Sequence, residues 1–484
     1  MGMMGQKGAG KRPEGGGYKK LLLGVIAAGM MVGVMSCEKP IVGEYHPNQP
    51  PETEIFVKSS NPLNPTRSVQ KIYWDGRDPD GFVMGFYYTW KADPTPEDWQ
   101  FTEERFGVFP LEIRSADTSY VFQVKAVDNE GLEDPTPARQ IFPIKNSPPV
   151  IEWIATSKIP DTTFTVTTFI WAARDLDGDT TIAYFEYALD DTSQDNWRRI
   201  PGHRRTLTLN ADSGLTQGNH AFYIRAVDIA GAISQTIRMP EQEDKYWYVK
   251  EPAGRYLLID DFSVESSTTG YPDRYYTSMM NEILGELGEN YSYWNIVENF
   301  PVSRVQFIET LKLFDRILWY SDLITESDEH FVAAQLAIPE FRAKGGKIIY
   351  TVQFNQGFGG QGNPMAFAPV DSLGRFYNII TTGKIYYPDS AFARAFPDFP
   401  PLPTLKVSKF ILGLISLIPK ATAIPMYRYD DPNLTDDPIF ILVGRNDNTG
   451  EYDFVFSGTP LHYLRGDNNL NEFFRIVFRD LFKP

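Results

Sequence analysis

Acidic, hydroxyl and amide side chains follow three apolar segments in the second half of the chain. The set comprises Asp260, Asp261, Ser321, Asp322, Gln353 and Asn355. Open α/β sheets bind ligands beyond the carboxyl ends of their strands, so Asp260, Asp261 and Asp322 could form a carboxylate cluster for a cation or for acid/base work on a polar substrate. Asp and Ser at strand ends also cap loops and the helices that follow, and we favour this second interpretation.

A nucleophile served by a histidine would be another route to hydrolysis. Ser321 or Ser457 would have to meet His330 or His462, but the sequence has no G-x-S-x-G turn of the kind that presents a serine nucleophile. Cys37 is the only cysteine. If it carries lipid, as argued below, the mature chain has no thiol for a disulfide, a metal or a nucleophile.

Two short acidic loops could bind calcium. The first contains Asp78 and Asp80, and the second contains Asp175, Asp177 and Asp179. Paired carboxylates before a glycine bend suit a hard cation, yet neither loop completes the calcium-binding pattern with its closing glutamate. Asx turns explain the same residues, so we predict no cofactor and keep calcium as the second interpretation.

The elements that must position these residues begin with an N-terminal leader. Lysines precede an apolar run at residues 21–35, and Cys37 follows it closely. As a helix this run is about 22 Å long, short of the ~30 Å hydrocarbon core, so we expect a signal peptide and not a membrane span. Residues 34–37 resemble the bacterial lipobox, which implies lipidation of Cys37. In that family an Asp after the Cys signals inner-membrane retention, and Glu38 at this place favours the outer membrane.

Charge argues against one class of partner. The chain has 46 basic and 62 acidic residues, and removal of the leader leaves 41 and 61, a net charge near −20. Such a surface repels phosphate backbones, so we expect no nucleic acid partner. It is equally repelled by anionic lipid, so we expect the lipid on Cys37 to provide the membrane attachment.

The strongest internal pattern is a repeat with a period of about one hundred residues. Residues 74–81 and 171–178 both read W-x-x-R-D-x-D-G, and residues 120–131 correspond to 220–231. In the second pair of segments, apolar residues alternate as in a strand with one buried face, and Asp-x-x-Gly supplies the turn.

Each copy of the repeat resembles a fibronectin type III or related Ig-like sandwich. That family places a core tryptophan on its second strand, which Trp74 and Trp171 match, and a corner tyrosine on its sixth, which Tyr120 matches. The second copy has His220 at the corner, and we interpret it as a corner substitute and not as a ligand. The resemblance implies two all-β sandwiches that space and bind, and fold alone implies no chemistry.

The remainder of the chain alternates apolar strands with helices. Residues 255–261 form the continuous apolar run typical of a strand buried on both faces, and residues 272–287 have helical spacing. Further strands are predicted at 291–297, 314–320, 347–352, 421–427, 439–444 and 452–457, and further helices at 303–311, 326–343 and 469–482. This alternation predicts a parallel sheet with helical crossovers.

Four segments, 257–261, 316–322, 341–349 and 454–461, resemble the class I glutamine amidotransferase-like, flavodoxin-like sheet found in secreted bacterial proteins. Active members carry a cysteine on a tight turn after a central strand. The corresponding residues 351–355 read T-V-Q-F-N. If the resemblance holds, amidotransferase chemistry is excluded because the nucleophile is missing.

Residues 354–420 are too many for a plain connection, and we predict a lid, an insertion or an interface. The glycines of this segment lack the Lys-Ser/Thr ending of a phosphate loop. Residues 410–418, FILGLISLI, are apolar enough for a partner or lipid surface, but we predict a buried helix there.

The predicted order is a leader at 1–37, a Pro-rich tether at 38–49, fibronectin type III-like domains at 50–146 and 147–250, and an α/β flavodoxin-like domain at 253–484. The leading hypothesis is a lipid-anchored outer-membrane protein that binds a protein or glycan without catalysis. One alternative is an extracellular polymer hydrolase using Asp260, Asp261 and Asp322. Another is an assembly part of an envelope machine that self-associates through residues 354–418.

Overall fold

The computed structural model describes residues 47–56, 69–111, 117–263, 271–325, 327–354, 357, 363–430 and 437–483. Cys37, the predicted leader and most of the predicted tether lie outside these residues, as does Asn355. Within the described ranges, no helix is long and apolar enough to cross a membrane.

The first part of the chain is a β-sandwich. Its strands are β1 (Glu52–Phe56), β2 (Val69–Arg77), β3 (Val83–Thr89), β4 (Gln100–Thr102), β5 (Phe106–Pro110), β6 (Asp117–Asp128) and β7 (Ala138–Lys145). One sheet has the order β1-β2-β5 and the other β4-β3-β6-β7, and all pairs are antiparallel. Trp74 of the first sheet packs 5.5 Å from Phe122 of the second, between ring centroids, so the two sheets share one core.

The second part repeats this arrangement with one more small sheet. Its strands are β8 (Val150–Trp153), β9 (Thr162–Phe164), β10 (Val166–Arg174), β11 (Ile182–Leu189), β12 (Arg198–Pro201), β13 (Thr206–Asn210), β14 (Gly218–His220), β15 (Phe222–Asp228), β16 (Ile237–Met239) and β17 (Trp247–Lys250). The sheet orders are β13-β10-β8, β12-β11-β15-β16 and β14-β17-β9. Trp74 and Trp171 are both buried, which confirms the predicted core tryptophans.

The third part combines helices with a large sheet. Its elements are β18 (Tyr256–Asp261), α1 (Pro272–Leu287), β19 (Tyr291–Asn295), α2 (Arg304–Leu311), β20 (Arg316–Ile324), α3 (Glu329–Ala343), β21 (Lys347–Phe354), β22 (Val370–Ile380), β23 (Ile385–Pro388), α4 (Ser390–Ala395), β24 (Leu405–Lys406), β25 (Ile411–Pro419), β26 (Ala423–Tyr429), β27 (Ile439–Arg445), β28 (Tyr452–Ser457) and α5 (Leu470–Ile476). The predicted helix at 272–287 is confirmed. It begins at Pro272, whose missing N–H costs nothing there, and ends before Gly288, whose φ is 70°.

The large sheet has nine strands in the order β19-β18-β20-β21-β28-β27-β26-β23-β24. The first five are parallel, and β27, β26, β23 and β24 extend them antiparallel. Leu257 and Ile259 of β18 lie in the core that α2 and α3 cover, whereas Leu258 lies in the core that α1 and α5 cover. The strand is therefore buried on both faces, and the parallel pairing predicted for it is confirmed.

The prediction of a helix at residues 410–418 is wrong. Most of the segment is strand β25, which pairs antiparallel with β22 to form a two-stranded ribbon. Leu414 and Leu417 point into the cores, while Leu412 on β25 and its cross-strand partner Ile379 on β22 are at least half exposed. An apolar run of this length is compatible with a helix or a strand, and the pairing with β22 shows that it is a strand.

The second sandwich contacts the α/β part through strands β9, β10 and β17. Phe164 is buried against Trp294 and Phe314, at ring-centroid distances of 5.8 and 5.2 Å. Nearby, the hydroxyl of Ser303 donates to the Thr168 hydroxyl oxygen at 2.8 Å. This contact is apolar at its centre and hydrogen-bonded beside it.

Candidate functional site

The carboxyl end of β18 places its two aspartates on opposite faces of the sheet. Asp260 accepts a hydrogen bond from the Tyr293 hydroxyl and one from the backbone N–H of Phe262, the latter at 3.1 Å. Both partners belong to the face that α1 covers. Burial raises the pKa of Asp260 above its ordinary value, and the hydrogen bond from Tyr293, which favours the ionised form, acts against this.

Asp261 projects to the other face, where α3 begins. Its Oδ2 accepts the indole N–H of Trp319 at 3.1 Å, and its Oδ1 lies 2.5 Å from Nδ1 of His330. The His330 ring is held in place because it stacks on Phe300 at 4.3 Å. Asp328 caps α3 by accepting the backbone N–H of His330, which fixes the start of the helix.

The Asp261–His330 pair is a buried charge pair with one open end. Burial alone would lower the pKa of His330, but the hydrogen bond and negative charge of Asp261 outweigh it and hold the pKa above its ordinary value. The His330 side chain is 20% exposed, and its Nε2 has no hydrogen-bond partner among the described residues. A proton held at Nε2 is thus within reach of a molecule arriving from solvent.

Asp322 does not join either aspartate. Its Oδ2 accepts the backbone N–H of Ser263 at 3.0 Å and the Ser263 hydroxyl at 2.5 Å, so it fixes the chain just after β18. The neighbouring Ser321 is buried and donates to the backbone oxygen of Asp261 at 3.3 Å. Each of the three predicted carboxylates therefore has its own internal partners.

His462 lies in the core that α1 covers and is fully enclosed. Its Nδ1 is 3.4 Å from the Tyr276 hydroxyl, and its Nε2 has no partner among the described residues. Burial lowers the pKa of His462 to about 3, so the ring is neutral at physiological pH. Ser457 donates to the backbone oxygen of Thr459 at 2.6 Å and not to this histidine, so the Ser–His pairs considered from sequence do not form.

Gln353, at the end of β21, connects the sheet to the β22–β25 ribbon. Its side-chain amide donates to the backbone oxygens of Leu412 and Gly413, at 2.5 and 2.9 Å. Gln353 therefore positions the ribbon beside the carboxyl edge of the sheet. Its predicted companion Asn355 lies outside the described residues.

The acidic loops of the two sandwiches are organised by their own hydrogen bonds. Asp175 accepts the backbone N–H of Asp177 at 2.9 Å and the Thr181 hydroxyl at 2.7 Å, and burial raises its pKa. Asp179 accepts the N–H of Asp175 at 3.2 Å, and Asp78 accepts that of Asp80 at 3.4 Å. In the described part of the chain no three His, Cys, Asp or Glu side chains form a group that could hold a metal ion. Calcium binding at these loops stays the second interpretation.

His220, placed at the corner of the second sandwich, has partners on both ring nitrogens. Nδ1 is 2.7 Å from Asp190 Oδ2, and Nε2 is 2.7 Å from the backbone oxygen of Thr216. The ring thus bonds back to the backbone four residues earlier, as a corner tyrosine hydroxyl does.

Sequence reasoning missed the partners of the two β18 aspartates. It considered His330 only as a base for a serine, whereas the structure pairs it with Asp261. Strand register carries a usable signal for the other two partners, Tyr293 and Trp319. Tyr293 lies beside Leu258 on one neighbouring strand, and Trp319 lies beside Ile259 on the other. Period-two alternation then assigns Tyr293 to the face of Asp260 and Trp319 to the face of Asp261.

No protein-family model matches the chain, and no curated protein matches it. Solved structures give partial likenesses. The fibronectin(III)-like modules of Clostridium thermocellum CbhA are 14% identical, with 41% of this chain and 95% of that chain covered and a TM-score of 0.18. A two-domain fibronectin type-III segment of chicken tenascin is 12% identical, with coverages of 39% and 95% and a TM-score of 0.20.

The mmIFT52 N-terminal domain is 11% identical, with 47% of this chain and 98% of that chain covered and a TM-score of 0.31. TM-scores this low carry no conclusion about function. The β-sandwich architecture follows from the sheet orders and shared cores described above.

Proposed function

We propose that this chain is a lipid-anchored cell-envelope protein in which two β-sandwiches space a non-catalytic α/β domain that binds a protein or a glycan. The observation that carries the proposal is the placement of Asp260 and Asp261 on opposite faces of one sheet, each with its own internal partners. Asp322 is likewise bonded to Ser263.

This placement argues against a carboxylate pair for hydrolysis. Glycosidases need two carboxyl groups about 5–10 Å apart on the two sides of one scissile bond. Asp260 and Asp261 are separated by the backbone of β18 itself and open toward different cores. Side chains that already have hydrogen-bond partners inside the fold serve to hold loops in place. We expect this of a domain that binds without catalysis.

The finer family assignment is part of the proposal. The sandwiches are of the fibronectin type III or Ig-like kind, supported by the three-plus-four strand arrangement and the buried Trp74 and Trp171. The α/β domain is amidotransferase-like and flavodoxin-like. The supporting feature is the parallel order β19-β18-β20-β21-β28. In it β19, the second strand of this domain, lies outside β18, the first, as in flavodoxin-like sheets.

Membrane attachment rests on the sequence of the leader. Cys37 follows an apolar run too short to span a bilayer and carries the one thiol of the chain. We place the protein at the outer membrane, held there by lipid on Cys37 because its negative charge disfavours binding to anionic headgroups.

Two experiments test the proposal. Expression in a Gram-negative host with an alkyne-bearing fatty acid should label the wild-type chain in the membrane fraction but not the Cys37→Ser variant. The unlabelled variant is then immobilised and exposed to solubilised envelope and to wall and surface glycans. A specific ligand that survives Asp260→Ala with Asp322→Ala supports the binding role, and label on Cys37→Ser contradicts the anchor.

One observation favours the hydrolase alternative. The Asp261–His330 pair presents Nε2 toward solvent at the carboxyl edge of the sheet, where a general base would sit. Turnover of an envelope glycan that His330→Gln abolishes, while Asp322→Ala leaves it intact, would replace the binding role with catalysis.

A further inference from the structure

The second sandwich has a cavity on its solvent side. The cavity measures about 620 Å³ and lies over the sheet β12-β11-β15-β16. Tyr223 and Arg225 of β15 face it, because Phe222 and Ile224 on the same strand point into the core. This volume falls in the range of about 300–1,000 Å³ typical of small-molecule sites.

Aromatic side chains form part of the cavity lining, and the arginine that stacks on one of them is paired with a carboxylate. The guanidinium of Arg225 lies 4.1 Å from the ring centroid of Trp197. The same guanidinium donates to Glu186 at 2.9 Å, and Glu186 also pairs with Arg199 at 3.1 Å. Arg225 therefore holds the indole in place while its guanidinium is paired with the Glu186 carboxylate that it shares with Arg199.

Arg238, beside Tyr223 on the neighbouring strand, makes another part of the cavity lining rigid. Its guanidinium donates to the backbone oxygens of Pro240, Gln242 and Lys245, with the bond to Lys245 at 2.6 Å. Its own backbone oxygen accepts the indole N–H of Trp153 at 2.8 Å, which fixes a second aromatic ring at the cavity. The walls are thus formed before any ligand arrives, which reduces the entropic cost of binding.

Polar groups without internal partners line the rim. Gln235, Thr236 and Glu243 are exposed, and their side chains make no hydrogen bond or ion pair with any described residue. They offer an amide, a hydroxyl and a carboxylate, which together supply both donors and acceptors.

We propose that this cavity binds a neutral oligosaccharide. The C–H faces of sugar rings carry positive partial charge and pack on the negative faces of Trp and Tyr rings, while their hydroxyls bond to mixed donors and acceptors. Balanced charge in the walls disfavours strongly charged ligands. This inference goes beyond the proposed function, because it assigns a ligand to a domain otherwise regarded as a spacer.

The first sandwich supplies a matched control. Its Trp99 occupies the position of Trp197, and Lys125 stacks on it at 4.5 Å in the place of Arg225. Glu133 pairs with Lys125 there. Trp99→Ala thus removes the same kind of side chain from the same kind of sheet, away from the cavity.

The test uses the full chain in polyoxyethylene-detergent micelles, whose headgroups contain no sugar. Cello-, xylo-, malto-, manno- and chito-oligosaccharides of two to four units are titrated by calorimetry and by tryptophan fluorescence. We expect at least one to bind saturably, Trp197→Ala to weaken it about tenfold, and Trp99→Ala to leave it unchanged. The double variant Gln235→Ala with Glu243→Gln, which alters only exposed side chains, should weaken it about fivefold.

Absence of saturable binding by every sugar in the set overturns the inference. So does binding that both the Trp197 variant and the rim double variant leave intact, or an equal loss in the Trp99 variant. Should Trp197→Ala fail to fold, the rim variant decides alone. If a sugar binds but no envelope ligand for the α/β domain is found, only the proposed function is contradicted. If an envelope ligand is found but no sugar binds, only this inference is contradicted.

Discussion

His330 Nδ1 lies 2.5 Å from Asp261 Oδ1, so the first turn of α3 and the last residue of β18 hold one proton between them. The Asp261 carboxylate raises the pKa of His330 above its unfolded value of 6.5, outweighing the effect of burial. Below pH 6.5 the histidine is protonated in both states, and the pair stabilises the fold in full until pH falls to the pKa of Asp261, which burial raises above its ordinary value. This contribution disappears as pH rises through the folded pKa.

We therefore expect His330→Gln to lower the free energy of unfolding by about 3 kcal/mol at pH 5.5 and by clearly less at pH 9. Urea unfolding at several pH values, followed by near-UV circular dichroism, measures the difference. If the variant loses the same amount of unfolding free energy at every pH, the ring stabilises the fold by packing and not by its charge.

His462 should have the opposite pH dependence. Its folded pKa is about 3 because of burial, against 6.5 in the unfolded chain. Below pH 6.5 the unfolded chain takes up a proton that the folded chain refuses, so the free energy of unfolding falls by about 1.4 kcal/mol per pH unit toward pH 3. In His462→Asn this part of the acid dependence should be absent. Parallel curves for wild type and variant between pH 6 and pH 4 would contradict the assignment.

Phe164 should couple the second sandwich to the α/β domain. Phe164→Ala empties a buried site beside Trp294 and Phe314 and should cost about 3–5 kcal/mol. We expect calorimetry to show the transitions of these two parts moving apart in the variant. Phe86→Ala, in the core of the first sandwich, is the control and should leave the α/β transition in place. Unchanged coincidence of the two transitions in Phe164→Ala would disprove the coupling.

Gln353 should hold the β22–β25 ribbon. Gln353→Leu removes two hydrogen bonds to backbone oxygens in β25, each contributing about 1 kcal/mol. Amide hydrogen exchange in β22 and β25 should accelerate by about tenfold or more, while β26 serves as the internal reference. Equal exchange in wild type and variant would mean that packing of Leu414 and Leu417 alone holds the ribbon.

Much of the α/β fold could be predicted because its signals are local. Pro272 and Gly288 mark the ends of α1, and the apolar run before Asp261 marks a strand buried on both faces. The opposite orientation of Asp260 and Asp261 also follows from strand geometry, once their positions on one strand are known. The candidate residues were therefore placed at the correct end of the sheet.

The partners of those residues could not be predicted, because they depend on packing between distant segments. Asp261 and His330 are 69 positions apart in the chain. The strand at β25 was missed for a similar reason, since its apolar run fits a helix as well, and only the partner strand β22 decides. Gly413 interrupts this run, and a glycine inside a run of this kind disfavours a helix.

Strand β28 lies between β21 and β27, although about a hundred residues separate it from β21 along the chain. During synthesis, both sandwiches emerge well before the strand that completes the sheet. Until then β21 presents unpaired N–H and C=O groups at an apolar edge, which another nascent chain can occupy. The last part of the chain therefore stays open to mispairing until β28 is delivered, and a stalled polypeptide is an aggregation hazard even with both sandwiches intact.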